Sequence, residues 1–337
     1  MFVVQSYAVA VALCVVTMLC WGSWANTQKL AGARWRFELF YWDYVLGVLL
    51  MALVFAFTMG SLGSGGRGFL ADIKQADAAN IGSAFLGGMI FNAANILLVA
   101  AIAVAGMSVA FPVGIGLALV IGVLVNYWSE PKGEPILLFA GVGFITAAII
   151  LDALAYRRLP GQSKGGGLIG LMLAVLCGVL MGFFYRFVAA AMPEPKLENF
   201  LNMPAGKLSP YSAMVLFSLG VAASQVLFNV ANILKTATTT PMILPDYFGG
   251  SFRDHFWGVV GGMIWAVGMT LSIVAFGVAG PAISYGLGQG ATLVAACWGV
   301  FVWREFRAAP PSVKPLIALM FAGYLVGLAL LILAGNR

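Results

Sequence analysis

Apolar residues in this chain do not alternate with polar ones; they run on. Ten apolar stretches, at about residues 5–27, 37–59, 79–103, 108–128, 135–155, 168–190, 210–234, 256–279, 282–303 and 313–335, are separated by short polar or glycine-rich connections. A helix crossing a bilayer needs about 20 such residues, so the pattern predicts ten membrane-spanning helices. A transmembrane barrel is excluded, because its strands alternate apolar and polar positions. The first stretch lacks a basic leader and an A-x-A cleavage site, so it reads as a retained helix and not a signal peptide. Stretches three and four meet at a tight turn at Gly106, and eight and nine at Gly280. The longest connections are 191–209, polar with Glu194, Lys196, Glu198 and Lys207, and 235–255. In the latter, Pro241, Pro245, Gly249 and Gly250 forbid a regular spanning helix, so the segment is expected at the surface or dipping partly inward.

Composition supports a lipid environment. Of 337 residues, 62% are hydrophobic and only 9% charged, with a mean hydropathy of +0.98; a soluble domain carries about 25% charged residues. The 42 glycines suit close helix packing in lipid. The net charge of +6 does not indicate nucleic-acid binding, since the 18 Lys and Arg are scattered singly with no tract to follow a phosphate backbone. They record topology instead. Loops after odd-numbered helices hold 11 of them and the remaining segments 7, which places both termini outside the cytoplasm. Cys14, Cys20, Cys177 and Cys297 lie in apolar runs without metal or redox spacing, so they read as small buried hydrophobes. No HExxH, G-x-S-x-G or P-loop is present. No catalytic residue, metal or cofactor is expected, and the single histidine, His255, reads as a solvated loop residue.

The two halves resemble each other. Residues 87–120 shifted by 174 fall on 261–294 without a gap, with 13 of 34 positions identical, including GGMI at both starts, VAG at 104–106 and 278–280, and Gly114/Gly116 on Gly288/Gly290. A shift of 173 lays LGV at 46–48 on LGV at 219–221. Five crossings per half is an odd number, so the second half enters from the opposite side and the repeat is inverted. Inverted repeats with a binding site near the midplane characterise secondary transporters. The expected units are a first five-helix repeat at 1–155, a basic central loop at 156–167 and a second repeat at 168–337.

The motifs carry a family resemblance. FLGGMIFNAANILLVAAIAVAGMSVAFPVGIGLALVIGVLVNYW (85–128) and GGMIWAVGMTLSIVAFGVAGPAISYGLGQGATLVAACWGVFVWREFR (261–307), together with CWGSWAN (20–26) and YWDY (41–44), resemble the drug/metabolite transporter superfamily. The closer likeness is to its glucose/ribose porters, rhamnose–proton symporters and ureide permeases. Ala25 stands where ureide permeases carry Pro, and the loop at 156–167 is short. The short loop matches bacterial sugar porters and favours a sugar-like solute over a ureide or nucleobase.

Polar side chains at membrane depth need a partner or a wet cavity. Asp43, about 9 Å into the second helix at ~1.5 Å per residue, aligns with the ureide permease Asp and is a candidate proton carrier; pairing to Lys29 or Arg36 is its alternative. Glu38 is the next acid, placed beside Arg36. Asn92 and Asn95 on the third helix, Gln225, Asn229 and Asn232 on the seventh, and Tyr285 and Gln289 on the ninth form polar faces that either contact solute or tie helices together. The resembling porters also carry a Gln in the ninth helix, which favours solute contact for Gln289. Trp21 and Trp24 share a face and can pack on a ring or anchor an interface, and Trp265 and Trp298 are read alike; Asp152 and Arg186, near helix ends, are expected to snorkel. The chain thus reads as an all-α, multi-pass inner-membrane carrier of a small neutral polar solute, sugar-like and proton-coupled. Its partners are that solute and the lipid bilayer, and the surface is compatible with a homo-oligomer. A ureide or nucleobase permease and an exporter remain rivals in its class, and a channel or membrane enzyme outside it.

Overall fold

The structure, a computed structural model, describes residues 1–32, 35–159, 167–230 and 244–336, and all their side chains except those of 107, 108, 227–230, 244 and 245. Its main helices are α1 (Tyr7–Ser23), α2 (Phe37–Phe57), α3 (Ala78–Ala105), α4 (Gly116–Ser129), α5 (Pro135–Arg157), α6 (Gly167–Ala191), α7 (Pro210–Val230), α8 (Phe252–Ala279), α9 (Pro281–Gly288, continuing at Ala291–Cys297) and α10 (Lys314–Gly335). Eight stretches are long and apolar enough to cross a membrane; Tyr7–Ser23 and Pro210–Val226 are apolar but shorter. Among the described residues no strand forms, and a lone bridge joins Ala76 to Gly206.

Local chemistry sets the helix limits. Glu134 caps α5 by accepting from the Ile136 and Leu137 amides, with Pro135 at the first helical position. Ser251 and Asp254 form a reciprocal capping box at α8. Helices α3 and α8 are each 28 residues long and end on glycines of nearly identical backbone, Gly106 at φ 78 ψ 162 and Gly280 at φ 79 ψ 163. That left-handed region is costly for residues with a Cβ, which is why the two tight turns fall where the sequence places glycine.

Three boundaries depart from the expected windows. The first ends at Ser23, and a separate turn of helix, Asn26–Ala31, follows. Before α4, Phe111–Ile115 winds as a π turn over Pro112, whose ring nitrogen has no hydrogen to donate. The ninth helix breaks at Gln289–Gly290 and closes with a second π turn, Trp298–Val302. Most of the proline-rich segment before α8 lies outside the described residues; a single turn, Leu244–Phe248, precedes the capping box.

Packing pairs the helices in a regular way. Helix α3 lies against α6 and α7, α8 against α1 and α2, α6 against α4, α1 against α9, α5 against α10, and α2 against α7. At two crossings the contact is backbone on backbone. A Cβ at Gly88 would overlap the Phe217 carbonyl and one at Gly220 the Phe85 carbonyl; likewise Gly262 meets the Tyr44 carbonyl and Gly47 that of Val259. Only glycine permits helices to approach this closely.

Candidate functional site

A cavity of about 200 Å³ is lined by Trp21 of α1 and Trp24 just past its end, Phe91, Asn95 and Leu98 of α3, Phe111 and Ile115 of the π turn, Met181 and Phe184 of α6, Trp265 of α8, and Gln289 and Thr292 at the break in α9. Its wall is an aromatic box. Trp265 stacks on Trp21 at 5.9 Å and 12° and lies 4.5 Å from Phe91, while Trp24 packs on Tyr44 at 4.7 Å. The Trp21 indole N–H donates to the Trp265 carbonyl at 3.3 Å, which fixes the ring orientation.

Two amides reach this cavity. Asn95 is buried, its side-chain amide donating to the Tyr41 hydroxyl at 2.9 Å. Gln289 sits on the helix break between two glycines packed close, Gly288 against Trp21 and Gly290 against Leu328 and Met18, and its side chain makes no hydrogen bond among the described residues. The box thus offers flat apolar faces together with amide donors and acceptors, which suits a small, planar or ring-shaped neutral solute.

Other expected contacts are elsewhere. Asn92 is wholly buried between α3 and α7: it accepts from Tyr41 at 2.9 Å and donates to Ser224 at 3.0 Å and Gln225 at 3.3 Å. Asn92 and Gln225 are therefore helix-to-helix ties and not cavity residues, and the described part of α7 does not line the cavity. Tyr285 is also fully buried; its hydroxyl bonds the Ala118 and Met181 carbonyls, because its ring fills the space left by Gly122. The side chain of Asn229, and all of Asn232, lie outside the described residues.

Asp43 is 1% exposed and also stands apart from the cavity. It pairs with neither Lys29 nor Arg36. The Tyr247 hydroxyl donates to Asp43 Oδ1 at 2.5 Å, and His255 Nδ1 lies 2.9 Å from the same oxygen. Burial and the neighbouring Asp43 push the Tyr247 phenol above its ordinary pKa, so it remains a donor. His255 is consequently no solvated loop residue: it is on the first turn of α8, its ring edge-on to Trp35 at 4.9 Å. The cluster joins α2 to α8. Glu38 is buried and held by Arg36 at 3.2 Å.

A vestibule of about 280 Å³ shares Gly22, Ala25, Phe111, Thr292 and Ala295 with the cavity and extends toward the helix ends at Asn26, Tyr156 and Trp303. Asp152 lines it, contrary to the expected snorkelling, because α5 turns this face inward against α10. Trp298 lines it too, donating to Ser23 Oγ at 2.9 Å. On the other side of the cavity the core is packed: Tyr185 bonds Ser272 at 3.2 Å and Ser284 at 3.0 Å. Lys132 Nζ donates to the Pro195 carbonyl at 2.8 Å. Exposed Arg186 lies at that far end, beside Glu130 and Glu194.

Sequence reasoning missed Phe91, Phe111, Ile115, Met181, Phe184 and Thr292. The repeat held a signal for three of them: the 174-residue shift pairs Phe91 with Trp265, Phe111 with Tyr285 and Ile115 with Gln289. Met181 and Phe184 carry no polar mark that distinguishes them from core residues, and Thr292 carries only a hydroxyl, which a helix can satisfy on its own backbone, as here on the Gln289 carbonyl at 2.9 Å.

Residues 40–164 match the family model described as Ureide permease. The chain is 22% identical to Ureide permease 4 of Arabidopsis thaliana and 20% identical to Ureide permease 1 of the same plant, each match covering 100% of both proteins. A shorter match, to Probable ureide permease A3 of Vigna unguiculata, is 29% identical over 44% of this chain and 41% of that protein. A solved crystal structure superposes with a TM-score of 0.58 at 16% identity, over 95% of this chain and 96% of the other, and so shares the fold. The similarities are to permeases, which indicates a multi-pass membrane transporter of small solutes and not an enzyme.

Proposed function

We propose that this chain is a secondary carrier for a ureide or a related small, neutral, N–H-bearing heterocycle. The observation that carries the reading is the aromatic box with Asn95 and Gln289, in a chain similar over its full length to ureide permeases. Flat rings stack on indole and phenyl faces, and the amides supply both donors and acceptors. The sugar-like reading rested on the short loop at 156–167; the named relatives are ureide permeases and displace it.

The proposal includes ten crossings, as two inverted five-helix repeats of the drug/metabolite-transporter kind, residues 1–155 and 168–337 about the loop at 156–167. Supporting this, α3 at 78–105 and α8 at 252–279 are related by 174 residues along their whole length, their glycine caps included. The glycine crossings are related in the same way: exchanging the halves turns the α3–α7 contact into the α8–α2 contact. The carrier sits in the inner membrane with both termini outside the cytoplasm, as the basic loops favour. Solute and proton movements are coupled through Asp43, which is supported by its burial and its contacts to His255 and Tyr247, with Glu38 as the second candidate acid.

The test is counterflow in proteoliposomes. Vesicles preloaded with unlabelled hydantoin, uracil or glucose are offered the labelled compound outside. Accumulation with hydantoin or uracil, saturable and absent with glucose, is the expected result. Accumulation with glucose alone would reverse the assignment, and linear, non-saturating flux would mark a channel.

A further inference from the structure

At the packed end of the molecule, one turn of the first half is set into four elements of the second. Residues 131–134 join α4 to α5. Lys132 Nζ donates to the Pro195 carbonyl in the α6–α7 connection at 2.8 Å and to the Gly277 carbonyl in the last turn of α8 at 3.4 Å. The Lys132 stem lies over Gly280, where an added Cβ would meet its Cδ at 2.9 Å. Gly133, at φ 93, fits against Ile283 of α9, and the Glu134 amide donates to the Ala334 carbonyl of α10 at 2.8 Å. The ammonium of Lys132 therefore spends its hydrogen bonds between the halves, on backbone carbonyls. A bond from a charged donor is stronger than one between neutral groups.

The vestibule end has the same parts, unjoined. A π turn takes one residue more than an α turn, so past Trp298–Val302 the offset between the halves grows from 174 to 175. At 175, Trp128, Glu130, Lys132 and Pro135 fall on Trp303, Glu305, Arg307 and Pro310. Arg307, on the α9–α10 turn, is thus the counterpart of Lys132. The counterpart of Gly280 is Gly106, which has the same backbone conformation. Yet beyond its chain neighbours no described atom lies within 4 Å of a Cβ added at Gly106. Arg307 is exposed, and its side chain makes no hydrogen bond or ion pair among the described residues. One glycine is covered by the stem of a cation; its twin is bare, and the matching cation is idle. The α9–α10 turn is nonetheless tethered at this mouth: Glu305 meets Lys29 at 3.1 Å and the Tyr156 hydroxyl at 2.5 Å, and Trp303 donates to Asn26 Oδ1 at 2.6 Å.

We infer that Lys132 is the bolt that holds the far mouth shut in this state, and that Arg307 is the bolt of the vestibule mouth in the opposite state. There its stem lies over Gly106 and its guanidinium donates to carbonyls of the last turn of α3 and of the α1–α2 connection. The inference rests on the carrier reading and the inverted repeat proposed above, and not on which solute is carried. Each access change then exchanges one set of cation-to-carbonyl bonds for its twin, which keeps the two states close in free energy, as a carrier that must visit both requires.

The experiment measures labelling by a small thiol reagent in the reconstituted full chain without its native cysteines, carrying Ser284→Cys as the reporter of the far side or Thr292→Cys as that of the vestibule side. Lys132→Met keeps the stem and removes the donors. It is expected to raise the low labelling rate at Ser284→Cys about tenfold, in line with bonds to a charged group, and to slow labelling at Thr292→Cys. Lys132→Arg, which keeps donors, should label as the parent does. Arg307→Met removes a side chain that is idle here, so it should slow labelling at Ser284→Cys about tenfold and slow counterflow. The two changes oppose each other, so the double variant should return to the parent rate; a merely structural role for Lys132 would not be corrected by a change at Arg307. An unchanged Ser284→Cys rate in Lys132→Met, or a double variant that labels as fast as Lys132→Met alone, overturns the inference. If Lys132→Met does not fold, Arg307→Met decides, and unaltered labelling and counterflow there overturn it. Labelling that shifts as expected, without counterflow of hydantoin or uracil, would overturn the ureide reading and leave the bolts standing. Linear, non-saturating flux would remove the carrier reading and this inference with it.

Discussion

Single side chains divide the bundle into groups that line the cavity and groups that hold helices. Gln289 belongs with the first: unbonded, at a helix break, on the cavity wall. Replacing it with Leu keeps the volume and removes the amide, and is expected to raise the half-saturating solute concentration about three- to tenfold, read by concentration-dependent counterflow, with the melting temperature little changed. Gln225→Leu makes the contrast, since it breaks a buried amide tie and should lower the melting temperature before it changes affinity. Asp43→Asn retains a hydrogen-bonding side chain but cannot release a proton. Uptake driven by a proton gradient should vanish while exchange without a gradient persists; unchanged gradient-driven uptake would eliminate Asp43 and leave Glu38. Much of this was legible in the sequence and some was not. Asn95, Gln289 and the tryptophans could be found because polar or aromatic residues inside apolar runs must be accounted for. Asn92 and Tyr285 look identical on that criterion, and only tertiary neighbours, Ser224 and Gly122 among them, reveal that they are already satisfied. His255 was misread because its partner lies 212 positions away, beyond any local pattern.

Among helices, length and apolarity were readable at once, since both follow from the solvent that surrounds them. Irregularities were not. The π turn at Phe111–Ile115 and the break at Gln289 occupy related places in the two halves and deliver Phe111, Ile115 and Gln289 to the cavity. The glycines and Pro112 hinted at disorder in the winding without saying which way it would turn. The close crossings are more tractable. Gly88→Val forces a branched side chain against the Phe217 carbonyl, and Gly262→Val does the same against Tyr44. Each should destabilise by on the order of 1–3 kcal/mol, visible as a lower melting temperature. Gly143→Val, at a glycine with no neighbour near an added Cβ, should be close to neutral. Equal losses at all three positions would mean that the crossings carry no special constraint.

For the molecule as a whole, the cavity communicates with the vestibule at one end and meets packed core at the other. In a chain without its native cysteines, Thr292→Cys should react with a small thiol reagent and be shielded by bound solute, whereas Ser284→Cys, fully buried, should stay unlabelled; the reverse pattern would mean that the far side is the open one. The glycine crossings then acquire a mechanical meaning. A backbone-to-backbone contact has no side-chain cushion to compress, so it resists sliding and permits tilting, and behaves as a fulcrum. It is placed off-centre: in a helix rising ~1.5 Å per residue, Gly88 leaves an arm of about 15 Å toward Ala78 and about 26 Å toward Ala105, and Gly262 divides α8 in the same proportion. A tilt of about 10° moves the short tip by about 2.6 Å and the long tip by about 4.5 Å, at that same rise. In the inverted arrangement proposed above, the two long arms point to opposite faces of the membrane. One lever is geared to open each mouth, and the leverage that widens one entrance is spent mostly where the other lever is short.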